Sequence, residues 1–298
     1  MKKLFYCVIF INIAFSESVF GQTATQQQEI ERSIREHKIQ QRKFEKFKEA
    51  IQPKAISAER AALPFKTKRT REQNRRLLPS RADLEKYDSF LRQPRTGVVK
   101  IFPDIDCENN ANVLRADEQC LKWIPNSAFY SFREAEHTNE FLSDLRVKDE
   151  FFVSDGILSQ GILVSLGNIS LENLTLNNDG MKFLIEFAPE TDSKDALKQT
   201  KQIIRGVRSD KFEYRKTLPI VENATYAMRV VAYRGKFFRV FRGALFDVLA
   251  GDDRADLVVA FRVVRKSDDG SITLIWKELQ RKEAPKIIFP KRDKKLKN

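Results

Sequence analysis

An α+β fold, with a mainly antiparallel β-sheet body, packing helices and a basic helical N-terminal extension, is what this chain of 298 residues predicts. Three observations carry that expectation. Residues 226–234, 257–265 and 272–279 are long segments, apolar at alternating positions and largely apolar between them, the pattern of strands covered on both faces. Residues 195–207 instead place Ala196, Leu197, Thr200, Ile203, Ile204 and Val207 on one side of a helix. The basic residues cluster in two arms: 19 Lys+Arg against 10 Asp+Glu over 22–96, and 9 against 3 over 277–298. The stretch between them carries slightly more acid than base.

The elements follow in order. Lys2 and Lys3 precede an apolar run, Leu4 to Phe15, and Val19 and Gly21 stand where a signal peptidase needs small residues. Cleavage between Gly21 and Gln22 is expected, with Ala14-Phe15-Ser16 the lesser alternative. The run is too short to span a bilayer as an uncleaved anchor. Cys7 lacks the small residues that precede a lipid-attachment cysteine. The chain therefore reads as exported, secreted or periplasmic, and its short Lys-Lys start is of bacterial type.

A sparse amphipathic helix is expected over 29–51, with Ile30, Ile34, His37, Phe44, Phe47 and Ile51 in one arc before Pro53. Residues 53–79 form a Pro-punctuated basic linker with short helical turns. Ser80 is an N-cap, with Leu84, Tyr87, Phe90 and Leu91 on one side of the helix that Pro94 closes. These segments make up an extension over 22–96, ahead of a globular domain over 97–289 and a basic disordered tail over 290–298.

Within the domain, strands are expected at 97–102, 128–132, 151–153, 157–166 and 181–187, and helices at 134–145 and, ended by Gly251, at 236–250. Asp269-Gly270 marks the hairpin turn between the last two strands. With Cys7 removed, Cys107 and Cys120 remain, bracketing a polar loop. An even count in an oxidising compartment points to a structural disulfide, and the spacing is not that of a redox C-x-x-C pair.

The chemical motifs are mostly absences. There is no G-x-G-x-x-G, Walker loop, H-E-x-x-H, G-x-S-x-G or S-x-x-K, and no cofactor or metal site is expected. Gly156 and Gly161 flank Ser159 at the wrong spacing for a nucleophile elbow and read as turn residues. His37 lies in the extension, and His137 shares a helical stripe with Phe141 and Leu145, which makes it a structural histidine. Asp104, Asp106 and Glu108 alternate like the start of a calcium loop but lack its glycine turn and closing Glu. Asp252, Asp253 and Asp256 read as a solvated turn. The stretch Tyr233–Arg242 interleaves aromatic and basic residues, yet Phe237, Phe238 and Phe241 at helical spacing are more simply core. Asn168, Asn173 and Asn223 begin N-x-[ST] triplets, which are glycan acceptors in a eukaryotic secretory protein and carry nothing in a bacterial chain, the type the Lys-Lys start favours.

The function expected is a secreted or periplasmic non-enzymatic binding or structural protein, its ligand unassigned. One alternative is an envelope-associated binder of anionic lipid or polysaccharide acting through Lys66, Lys68, Arg69, Arg71, Arg75, Arg76 and the tail residues Lys291, Arg292, Lys294, Lys295 and Lys297. Another is a carbohydrate-active hydrolase using body carboxylates. Export argues against nucleic acid as a partner, and no integral membrane span is expected in the mature chain.

Overall fold

The computed structural model describes residues 68–105, 107, 118, 120–241 and 244–290. The signal segment, the expected 29–51 helix, Lys66 and the tail from Lys291 lie outside them. The described residues within Ser57–Arg242 and Phe246–Asn298 make the sheet body.

Three short helices open the described chain: Arg71–Arg76 (α1), Arg81–Lys86 (α2) and Asp88–Leu91 (α3). Thr70 and Gln73 satisfy each other's backbone N–H in a capping box that starts α1. Ser80 caps α2 through the Asp83 N–H, as its position before the apolar run predicts. Phe90 of α3 is buried against Leu171, Leu174, Ala260 and Ile275.

Seven antiparallel strands make the larger sheet: Thr96–Ile101 (β1), Ser159–Gly167 (β6), Val207–Ser209 (β7), Phe212–Arg215 (β8), Thr225–Ala232 (β10), Ala255–Lys266 (β13) and Ile272–Glu283 (β14). Their order is β1-β14-β13-β10-β6-β8-β7. A smaller sheet orders Glu136–His137 (β3), Phe129–Ser131 (β2), Leu145–Lys148 (β4), Phe151–Ser154 (β5) and Thr217–Pro219 (β9) as β3-β2-β4-β5-β9. The body is thus sheet-dominated with few helices. Gly270, at φ +76°, supplies the left-handed position in the β13–β14 turn.

Alternation along the central strands explains why they read as apolar throughout. Tyr226, Met228 and Val230 of β10, with Val259, Phe261 and Val263 of β13, face one core together with Tyr130, Leu145 and Phe152 of the smaller sheet and Phe132, which follows β2. The intervening Ala227 and Val258 face Leu184 and Ile203, which belong to the helices Lys182–Glu186 (α4) and Ser193–Arg205 (α5). One face of the large sheet therefore packs on a sheet and the other on helices.

Several local expectations are overturned. The expected strand over 181–187 is replaced by α4: Met181, its N-cap, and Leu184, three apart, both bury on the large sheet. A short apolar run carries no period able to separate strand from helix. The expected 134–145 helix is instead a turn, β3 and a loop. Ala135 takes φ +55°, and the Asn139 carboxamide accepts the Phe141 N–H at 2.9 Å, competing with helical bonding. The 236–250 helix is replaced by strands Phe238–Phe241 (β11) and Ala244–Asp247 (β12) and a following turn. There the Asp247 carboxylate accepts the N–H groups of Phe237 and Leu249. Phe238 is consequently exposed and Phe237 only half-buried rather than core. Gly161 is no turn residue but lies within β6, where a Cβ would sit 1.5 Å from the Ser154 hydroxyl.

Candidate functional site

Three features position ionisable side chains: a buried charge network, two clefts, and the basic surface of α1.

The turn after β2 places Arg133 beneath the surface, where its guanidinium is consumed by the fold. Nε donates to Asp144 Oδ1 at 2.7 Å, Nη1 to Asp252 Oδ2 at 2.7 Å and to the Asp253 carbonyl at 2.6 Å, and Nη2 to the Leu142 carbonyl at 2.7 Å. Arg254 shares the same Asp252 oxygen at 2.8 Å and donates to the carbonyls of Tyr233, Ile157 and Leu158. Burial alone would lower the Arg133 pKa, but the carboxylates of Asp144 and Asp252 outweigh it and hold the group above the ordinary arginine value. For Arg254 burial prevails over Asp252, and its pKa is lowered. Asp253 pairs with Arg281. Asp252, Asp253 and Asp256 are therefore ion-pair partners, with Asp252 and Asp256 buried, rather than a solvated turn.

A cleft of about 390 Å³ opens beside this network, lined by residues that include Arg69, Glu134, His137, Asp247 and Asp252. The ring nitrogens of His137 lie 3.2 Å from the Phe129 carbonyl and 3.0 Å from the Lys100 carbonyl. His137 is a structural histidine, on a strand rather than in a helical stripe. Burial and the nearby Arg69 charge push its pKa down to about 4, against the pull of those two carbonyls. A neutral imidazole has a single N–H and satisfies only one of them. Glu134 accepts the Asp253 N–H at 2.8 Å, and Arg69 donates to the Pro125 carbonyl at 2.7 Å.

A larger open cleft, about 820 Å³, includes Asp104, Arg146, Lys148, Glu150 and Lys266 in its lining. Arg146 lies over the Phe129 ring and pairs with Asp104 and, at 3.5 Å, with Asp155. Asp104 is thus held by an arginine, while Asp106 and Glu108 fall outside the described residues. In each cleft an arginine is held by neighbours, Arg69 by the Pro125 carbonyl and Arg146 by Asp104 and Asp155.

The expected polyanion residues divide in two. Arg69 and Arg76 face inward: Arg76 donates to the Lys122 carbonyl at 3.0 Å and lies 5.4 Å over the Phe102 ring. They fasten α1 to the segment that follows the disulfide between Cys107 and Cys120, whose Cα atoms are 5.3 Å apart. Lys68, Arg71 and Arg75 are exposed.

Sequence reasoning missed the buried arginines. Arg133 sits in a polar stretch with nothing to mark it, whereas Arg229 interrupts an otherwise apolar strand, a signal that a charge is buried with a partner. Compared with protein-family models, curated proteins and solved structures, the chain matches none.

Proposed function

We propose that this chain is an exported protein, secreted or periplasmic, whose sheet body is a non-enzymatic binding or structural domain. The observation that carries the reading is the state of the buried carboxylates. Asp144, Asp252 and Asp256 each accept hydrogen bonds from an arginine enclosed in the fold, which suits a rigid scaffold and not a general acid that must exchange protons with a substrate. The test has two parts. Amino-terminal sequencing of the exported protein is expected to start at Gln22. A glycan-hydrolysis panel is expected to show no turnover that D104N, E134Q or D247N removes, and an activity lost in any of these variants overturns the proposal.

A second reading, attachment to an envelope polyanion, draws support from α1. Its inward arginines hold the helix in place while Lys68, Arg71 and Arg75 project outward, so three cations are presented from a fixed support.

A further inference from the structure

Helix α5 and the segment that follows β14 share one outward face. Beyond Ala284 the chain returns beside the start of α5. Ile288 donates its N–H to the Thr191 carbonyl at 2.8 Å, and its own carbonyl accepts the Ser193 N–H at 2.9 Å. Ile287 points inward against Ala196, Val231 and Tyr233. Ile288 and Phe289 are left 58% and 54% exposed.

On α5, Ala196 and Ile203 are buried, while Leu197 and Ile204 are 55% and 54% exposed. Seven residues apart, those two lie within about 20° of each other around the helix. Ser193, bonded to Ile288, is one turn before Leu197 on the same row. Four large apolar side chains, Leu197 and Ile204 on the outer side of the helix and Ile288 and Phe289 on the segment bonded to its start, are thus exposed to water. Lys194, Lys198, Lys201 and Arg205 are exposed on the same helix, and the single acidic residue of the helix, Asp195, pairs with Lys198. The chain runs on from Phe289 and Pro290 into Lys291, Arg292, Lys294, Lys295 and Lys297, with Asp293 the one acid among them.

We propose that this face docks on an anionic lipid bilayer, with α5 lying in the plane of the surface. A single exposed apolar residue needs no explanation. Four on one helix and the segment bonded to its start, with the exposed cations of α5 beside them, have the two components that hold a helix at a membrane interface: apolar area for the acyl boundary and positive charge for the headgroups. A soluble polyanion would answer the cations and leave the exposed apolar residues without a partner. The site is separate from α1, and the inference does not depend on polyanion binding there.

The test is co-sedimentation of the protein, purified after export, with vesicles of phosphatidylglycerol and phosphatidylcholine, beside phosphatidylcholine alone, over a salt series. An acidic polysaccharide is titrated in parallel. Binding to the anionic vesicles is expected to fall by about tenfold or more in L197S/I204S/I288S/F289S. It is also expected to fall in K194Q/K198Q/K201Q/R205Q. Unchanged binding by the serine variant overturns the proposal, as does binding to the polysaccharide but not to vesicles, or to neither. Should the serine variant misfold, Phe289→Trp in the otherwise unaltered protein keeps the question decidable. Its emission shifts to the blue on anionic vesicles if the face inserts, and the absence of any change beyond that of the native tryptophans rejects it.

Discussion

Arg229 lays one edge of its guanidinium on the two carboxylate oxygens of Asp256, with Nε 2.8 Å from Oδ1 and Nη2 2.7 Å from Oδ2. Both residues stand on central strands, one diagonal step apart across the β10–β13 ladder, where Asp256 is opposite Val231. The remaining nitrogen, Nη1, donates at 2.6 Å to the carbonyls of Leu184 and Phe187. It thereby satisfies carbonyl groups at the C-terminal end of α4 and ties that helix to the sheet.

Breaking this pair from one side leaves a buried charge without its counterpart. Arg229→Met is expected to lower stability by about 3–5 kcal/mol. R229M/D256L recovers most of the charge penalty but not the lost tie to α4. Urea unfolding of both single variants and the double variant measures the coupling.

Gly161 of β6 approaches Ser154 of β5 closely enough that an added Cβ would lie 1.5 Å from Oγ. Gly161→Ala therefore forces the sheets apart locally and is expected to cost about 1–3 kcal/mol or more. Removing the opposing side chain in G161A/S154G relieves the clash. Thermal midpoints of the two variants decide whether the close approach is the cause.

His137 makes stability depend on pH. Its pKa in the folded chain is about 4, below the ordinary 6.5, so the unfolded chain takes up the proton first as pH falls. The contribution is complete above pH 6.5, declines through the window from 6.5 to 4, and is lost below it. The full loss is about 3 kcal/mol. His137→Gln is expected to flatten the unfolding midpoint across that window relative to the parent. Identical slopes would show that other groups govern the change.

The disulfide closes a loop with a sequence separation of 13. Its removal in C107S/C120S is expected to destabilise the protein by about 3 kcal/mol through greater freedom of the unfolded chain. Denaturant curves with and without reductant provide the measurement, and equal midpoints would contradict it.

The division within α1 separates binding from support. K68Q/R71Q/R75Q should leave the unfolding midpoint nearly unchanged. For binding to an acidic polysaccharide it should flatten the log–log salt slope by roughly one unit for each cation removed. Arg69→Ala and Arg76→Ala should instead lower stability, since each gives up a hydrogen bond to a backbone carbonyl worth about 1–3 kcal/mol.

The central strands, α5, the Ser80 cap, the Asp269-Gly270 turn and the cysteine pair were legible because their signals are local. Alternation, a 3.6-residue period, a capping hydroxyl, a turn dipeptide and two cysteines bracketing a polar loop each act within a short window. Residues 134–145, 181–187 and 236–250 misled because their short apolar spacings suit more than one period. In the first and third, the Asn139 carboxamide and the Asp247 carboxylate redirect the backbone. The clefts were illegible, since their linings are gathered from turns far apart in the chain.

The sequence by itself determined that a sheet would be buried on both faces, where basic charge would concentrate, and which cysteines would join. Those properties are written in periodicity and composition. Only the tertiary structure decided which charges were interior. Arg133 meets Asp252 across 119 positions of chain, and Arg229 meets Asp256 only once β10 and β13 are in register. A charge becomes buried through the neighbours that the fold assembles around it, and a linear pattern holds no record of a partner brought in from another strand.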